Sequence, residues 1–237
     1  IVYTSADSVF QIAAHESVFS LKELYYLCET ARNMLQGGHA VARVIARPFR
    51  GNGPDDFERT PYRKDYSLKP TGTIILEILQ KFQVPTCGIG KIYDLYGGKG
   101  LDSHVETKSN REGMEAILRV AAGQKNGLIM ANLVDFDMLW GHRNKPRGFY
   151  AGLREFDQWL PELWSVMTPD DILFITADHG NDPTTPGTDH SREYVPVLAY
   201  GAEITADSSI GTRGSFADLQ ATLAELYGIP STGAGKS

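Results

Sequence analysis

Cysteine is scarce in this 237-residue chain, with Cys28 and Cys87 the only two. They form neither a CxxC pair nor a zinc-type spacing, which excludes a disulfide scaffold and a thiolate zinc centre and points to a reduced, cytoplasmic protein. No apolar run is long enough to span a bilayer and no secretory leader is recognisable, so no membrane partner is expected. Positive charge is not in excess. Lys and Arg number 23 against 29 Asp and Glu, a net charge of −6. That argues against a nucleic-acid partner, but leaves room for a local basic patch facing a phosphorylated small molecule. Internal repeats and low-complexity segments are also missing. Nor is there an initiator Met: the chain opens on Ile1-Val2-Tyr3-Thr4, already strand-like, so the expectation is a chain that starts inside a longer protein.

What is present reads as an α/β protein. Apolar residues at 42% and charged residues at 22% are ordinary for a globular chain with a sizeable core. Ile1–Ser5 reads as a strand. Ser20-Leu-Lys-Glu is a capping box that opens a helix reaching Gln36, and Val41–Pro48 is β-branched and alternating. Arg50–Lys69 mixes both charges with Gly and Pro and predicts a long loop. From Thr71 helices and apolar runs alternate. The runs are Thr86–Gly90, Leu128–Val134, Ile172–Thr176 and Val195–Tyr200. The helices are Ile74–Phe82, one opening at Ser109, Phe149–Met167 and Phe216–Tyr227. Continuous apolar strands between helices predict a parallel sheet covered by helices. A domain boundary is expected near Lys69-Pro70, dividing residues 1–69 from 70–237, and the tail Ser231–Ser237 is expected to fray. The stripe of Phe149, Phe156, Trp159, Leu160, Leu163 and Trp164 reads as the core face of its helix.

Two of the apolar runs end in acids followed by histidines. "NLVDFDMLWGHR" supplies Asp137 and His142, with Asp135 beside them, and "FITADHGNDPTTPGTDH" supplies Asp178, His179 and His190. In open α/β sheets ligands bind outside the carboxyl ends of strands. A single acid after a strand is ordinarily a cap or turn former, and a single His is ordinarily a hydrogen-bonded residue. Here, however, three of the chain's six histidines fall beside acids in two such loops. Mixed carboxylate and imidazole donors suit Mn²⁺, Fe²⁺ or Zn²⁺. Five donors are too many for one catalytic zinc and suit two ions.

"TADHGND" followed by "GTDHSREYVP", with "NLVDFDMLWGHR" upstream, resembles the phosphopentomutase family of the alkaline phosphatase superfamily. So do "YTSADSVFQIAAHE", "RVIARPF", "RTPYRKDYSLKP" and "GIGKIYDLYGGKG". The resemblance implies an alkaline-phosphatase-like α/β core at 70–237 and part of a smaller α+β cap domain at 1–69. It also implies interconversion of (deoxy)ribose 1-phosphate and (deoxy)ribose 5-phosphate, with two Mn²⁺ ions and a phosphothreonine. Carried over by motif, Asp178 and His179 would hold one ion, and Asp137, His142 and His190 the other. The family's first metal-binding Asp and its phosphothreonine have no counterpart here and are expected upstream of Ile1. Thr176 is the nearest replacement by position, though a Thr at a strand end ordinarily packs or caps. Two alternatives stay open at this point. One is another superfamily enzyme, such as a cofactor-independent phosphoglycerate mutase. The other is a non-catalytic fragment binding metal or sugar phosphate.

The pentose phosphate would be held by polar groups spread along the chain. Ser5 and Asp7 are suited to sugar hydroxyls, although Ser-Ala-Asp-Ser is also good turn chemistry. Arg43, Arg47 and Arg50 could fork onto phosphate oxygens, or could be charges guarding an edge strand. Lys91, past a strand and beside Gly88 and Gly90, would contact phosphate if the family match holds, the glycines letting the backbone come close. His15, His39 and His104 have no partner motif and read as structural.

Overall fold

The computed structural model describes residues 1–5 and 8–237, with Asp7 outside them. It divides into two compact units, residues 1–71 with 94–97, and residues 72–93 with 98–237.

The first unit is a sheet with one helix. β1 (Val2–Ser5) and β2 (Val9–His15) are antiparallel, and β2 runs parallel to β3 (Arg43–Arg50). The parallel crossover is α1 (Leu21–Met34), whose capping box forms as expected: Glu23 N–H donates to Ser20 Oγ at 3.3 Å and Ser20 N–H to Glu23 Oε2 at 2.8 Å. Leu24, Cys28, Ala31 and Leu35 recur at helical spacing and pack on Phe10, Ile12, Ala14, Val44 and Ala46. The alternation of β3 therefore puts Arg43, Ile45 and Arg47 on the face away from α1.

The expected loop over Arg50–Lys69 is corrected. It contains β4 (Glu58–Arg59) and β5 (Lys64–Ser67), both antiparallel to β3. β3 is thus a central strand, so its arginines do not guard an edge.

In the second unit β6 (Thr86–Ile89) lies between β7 (Ser103–Val105) and β8 (Leu128–Ala131), all parallel. α2 (Ile75–Lys81) precedes β6; α3 (Ile92–Tyr96) follows it in sequence, residues 94–96 being counted with the first unit. α4 (Asn110–Gly123) is buried on two sides. Ala116, Ile117 and Val120 meet Cys87, Ile89 and Ile129 of the sheet. Met114, Ile117, Leu118 and Ala121 meet Phe156, Trp159, Leu160 and Leu163 of α5 (Pro146–Val166). Trp164 departs from the expected core stripe: it is 40% exposed and stacks on Tyr200 with ring centroids 5.1 Å apart.

β9 (Leu173–Thr176) and β10 (Val197–Tyr200) pair antiparallel as a separate ribbon rather than continuing the parallel sheet. Periodicity marks a buried strand but says nothing of its partner. The tail is not frayed. It folds back on α6 (Ala217–Leu226), where Asp218 Oδ1 accepts from Lys236 N–H at 2.9 Å and Gln220 Nε2 donates to Ala234 O at 2.7 Å. No helix among the described residues is long and apolar enough to cross a membrane.

Candidate metal centre

The chain leaving β8 is fixed before it reaches any candidate ligand. Asn132 N–H donates to Ile89 O at 3.1 Å. Gly90, at φ +74°, lets that strand come close, since a Cβ there would lie 2.5 Å from Asn132 O. Asp135 and Asn110 then bond reciprocally. Asn110 N–H donates to Asp135 Oδ2 and Asp135 N–H to Asn110 Oδ1, each at 2.8 Å, with both residues buried.

A single π-helical turn, Phe136–Gly141, follows and carries Asp137. Its aromatic side docks on α5: Phe136 meets Phe149 edge-on at 5.1 Å, and Trp140 lies over Gly148 and Gly152, where any Cβ would strike the indole. His142 ends the turn, its N–H donating to Asp137 O at 3.1 Å. The helical path is why Asp135 and Asp137, two residues apart, face different partners.

The second loop leaves β9 through Asp178-His179-Gly180. Ser191 N–H donates to Gly180 O at 3.0 Å, an isolated bridge that brings His190 back over His179. The two imidazoles stack with centroids 3.6 Å apart, and His190 also stacks on His142 at 4.8 Å.

Three of the five expected ligands gather at one place, and His142 joins them through Asp137. Donor atoms of Asp137, His179 and His190 all lie within 4.8 Å of one another. Asp137 Oδ1 is 3.1 Å from Nε2 of both His142 and His190. Asp178 Oδ1 is 3.6 Å from His179 Nε2, with its side chain 59% exposed. The grouping places His179, more than Asp178, with Asp137 and His190.

Ring tautomers follow from the neighbours. His142 Nδ1 meets Thr188 O and His179 Nδ1 meets Gly180 O at 3.2 Å. A carbonyl only accepts, so each Nδ1 carries a hydrogen, which leaves each Nε2 as the ring atom facing the cluster. For His142 that atom lies 3.1 Å from Asp137 Oδ1, so a carboxylate and an imidazole donor stand side by side. Imidazole and carboxylate donors without thiolate fit Mn²⁺, Fe²⁺ or Zn²⁺.

The residues expected at substrate are placed as follows. Ser5 ends β1. Arg43 pairs with Asp65 at 3.8 Å, and Arg50 with Glu58 at 3.1 Å. Arg47 Nε donates to Gln11 Oε1, and burial lowers its guanidinium from the ordinary value, with Arg63 and Arg59 adding repulsion. Lys91 follows β6, but the room beside Gly88 and Gly90 is taken by Leu101, Ile92 and Asn132 rather than left for a ligand. Thr176 is exposed, its Oγ1 3.4 Å from Ala177 O. His15 is held by Gly51 O at 2.7 Å and Ser17, and His104 stacks on Tyr93. Sequence reasoning passed over Asn181, whose Nδ2 donates to Asp137 Oδ1 at 3.0 Å. The signal available was its place directly after Asp178-His179-Gly180.

The loops after β8 of the parallel sheet and β9 of the antiparallel ribbon bring carboxylate and imidazole donors together, the donor types of a divalent-metal site. The family model for the metalloenzyme superfamily matches residues 53–231, and the chain belongs to that superfamily. Its fold is similar to the solved structure of a Pyrococcus horikoshii protein, at TM-score 0.50 and 16% identity, covering 79% of this chain and 54% of that one. Over all 237 residues it is 54% identical to the phosphopentomutases of Carboxydothermus hydrogenoformans and Dictyoglomus turgidum, and 52% identical to that of Dictyoglomus thermophilum. The chain spans 61%, 60% and 60% of the lengths of those relatives.

Proposed function

We propose that this chain is the carboxyl-terminal part of a phosphopentomutase that interconverts ribose 1-phosphate and ribose 5-phosphate, and the 2-deoxy sugars likewise. The observation that carries the reading is the convergence of Asp137, His179 and His190 donor atoms within 4.8 Å, from two loops far apart in sequence. The identity to phosphopentomutases along the whole chain supports a pentose phosphate as the substrate class.

On this reading Asp137, His142, Asp178, His179 and His190 hold two divalent ions, Mn²⁺ foremost. Bound there, the ions supply positive charge against a phosphoryl group whose oxyanions otherwise repel a nucleophile. The chain's own residues set that site in place. Thr188 O and Gly180 O fix the imidazole tautomers, and the Asp135–Asn110 pair anchors the turn that carries Asp137. Ser5 and Asp7 contact sugar hydroxyls, and Arg43, Arg50 and Lys91 contact phosphate. Arg43 and Arg50 pair with Asp65 and Glu58, and a guanidinium has five N–H donors to share with a phosphate. The threonine that carries the phosphoryl group lies outside this chain, as does one further carboxylate ligand.

The test compares a polypeptide starting at Ile1 with the longer protein carrying it, both with Mn²⁺ and pentose 1-phosphate. Mutase activity in the longer protein, none in the shorter, and severe loss with Asp178→Asn is the expected result. Turnover of phosphoglycerate instead would move the chain to a sister activity, and turnover by the shorter chain would make Thr176 the first candidate nucleophile.

A further inference from the structure

Asn181 is not one of the five proposed ligands, yet it touches the carboxylate at their centre. Its Nδ2 donates to Asp137 Oδ1 at 3.0 Å, the oxygen that also stands 3.1 Å from Nε2 of His142 and of His190. The carboxamide is seated on Gly141, which is buried. A Cβ on Gly141 would collide with Asn181 Nδ2 and come within 2.5 Å of Cγ and 2.6 Å of Oδ1. The amide therefore occupies a slot that exists only because residue 141 has no side chain.

We propose that Asn181, seated on Gly141, is a positioning residue that fixes the Asp137 carboxylate for metal binding. The inference rests on the metal-binding reading above. Rotation about the last bond of an Asp side chain is broad, so an unsupported carboxylate samples many orientations. One donor of fixed geometry removes that freedom, and only the NH₂ end of the amide can face a carboxylate. Partners of this kind typically change metal affinity 10–100-fold when removed.

The experiment titrates Mn²⁺ into the longer protein that carries this chain by calorimetry, with thermal unfolding in EDTA measured alongside. Asn181→Ala and Gly141→Ala should each weaken binding by about 10–100-fold. The double variant should bind no more weakly than Asn181→Ala alone, because both changes remove the same hydrogen bond. Asn181→Leu fills the slot without a donor and should match Asn181→Ala. Wild-type affinity in Asn181→Leu would overturn the proposal by making slot filling the whole effect. Additive losses that follow the fall in melting temperature in EDTA would overturn it by showing a purely structural role. Mn²⁺ binding that Asn181→Ala leaves unchanged sinks this inference alone. No binding by the unchanged longer protein sinks it together with the metal reading.

Discussion

Asp135 and Asp137 have the same side chain and lie two residues apart, but their surroundings divide their work. Asp135 is 8% exposed and bonded twice to Asn110, which is 5% exposed. Asp135→Ala leaves the Asn110 N–H buried without a partner, and should lower unfolding free energy by about 1–3 kcal/mol. Asp135→Asn retains an acceptor and should lower it by less than half as much. Urea denaturation of both variants checks this, and equal losses would mean that packing, not the hydrogen bond, matters at 135. The grouping of Asp137, His179 and His190 was legible because acids and histidines cluster in the loops after two apolar runs. Asn181 and Gly141 were not legible in the same way. Position after Asp178-His179-Gly180 marks Asn181 only as a neighbour of ligands, and its bond to Asp137 joins residues 44 positions apart.

Elements with strong local signals were legible from sequence, and those defined by their partners were not. The box at Ser20 sets the start of α1, and Ser20→Ala should cost about 1 kcal/mol, read as a lower urea midpoint at unchanged slope. β4 and β5 escaped notice because they are short, charged strands whose order comes from pairing with β3. The β9–β10 ribbon escaped because the pattern of a strand does not specify parallel or antiparallel pairing. Asp102 ties two elements together. It accepts from Gln80 of α2 at 2.9 Å and from Thr86 N–H of β6 at 2.9 Å, and these bonds hold its carboxyl below the usual aspartate value. A depressed folded-state value means stability that is present above the unfolded value of about 3.9 and lost as pH falls through the folded one. The difference in melting temperature between wild type and Asp102→Asn should therefore be largest near neutral pH and close below pH ~4. A difference independent of pH would assign the effect to shape instead of charge.

At the scale of the molecule, the two units can be observed separately. All three tryptophans, Trp140, Trp159 and Trp164, lie in the unit that carries the candidate ligands. Their fluorescence follows that unit alone, whereas far-ultraviolet dichroism follows both. The proposed ligands come from the loops after β8 and β9, and an ion held by both loops binds the folded unit and not the open chain. Binding only to the folded state stabilises it by RT ln(1 + [L]/Kd), about 2.7 kcal/mol at a hundred times Kd. For a unit of this size that is a rise of roughly 5–10 °C in the melting temperature. Mn²⁺ should therefore raise the tryptophan transition by that amount, and EDTA should reverse it. Asp137→Asn keeps the shape of the side chain but removes the shared charge, so it should abolish the Mn²⁺ shift while leaving the transition in EDTA nearly where it was. An equal shift in Asp137→Asn would place the ion elsewhere. A wild-type shift in dichroism with none in fluorescence would place it outside this unit altogether.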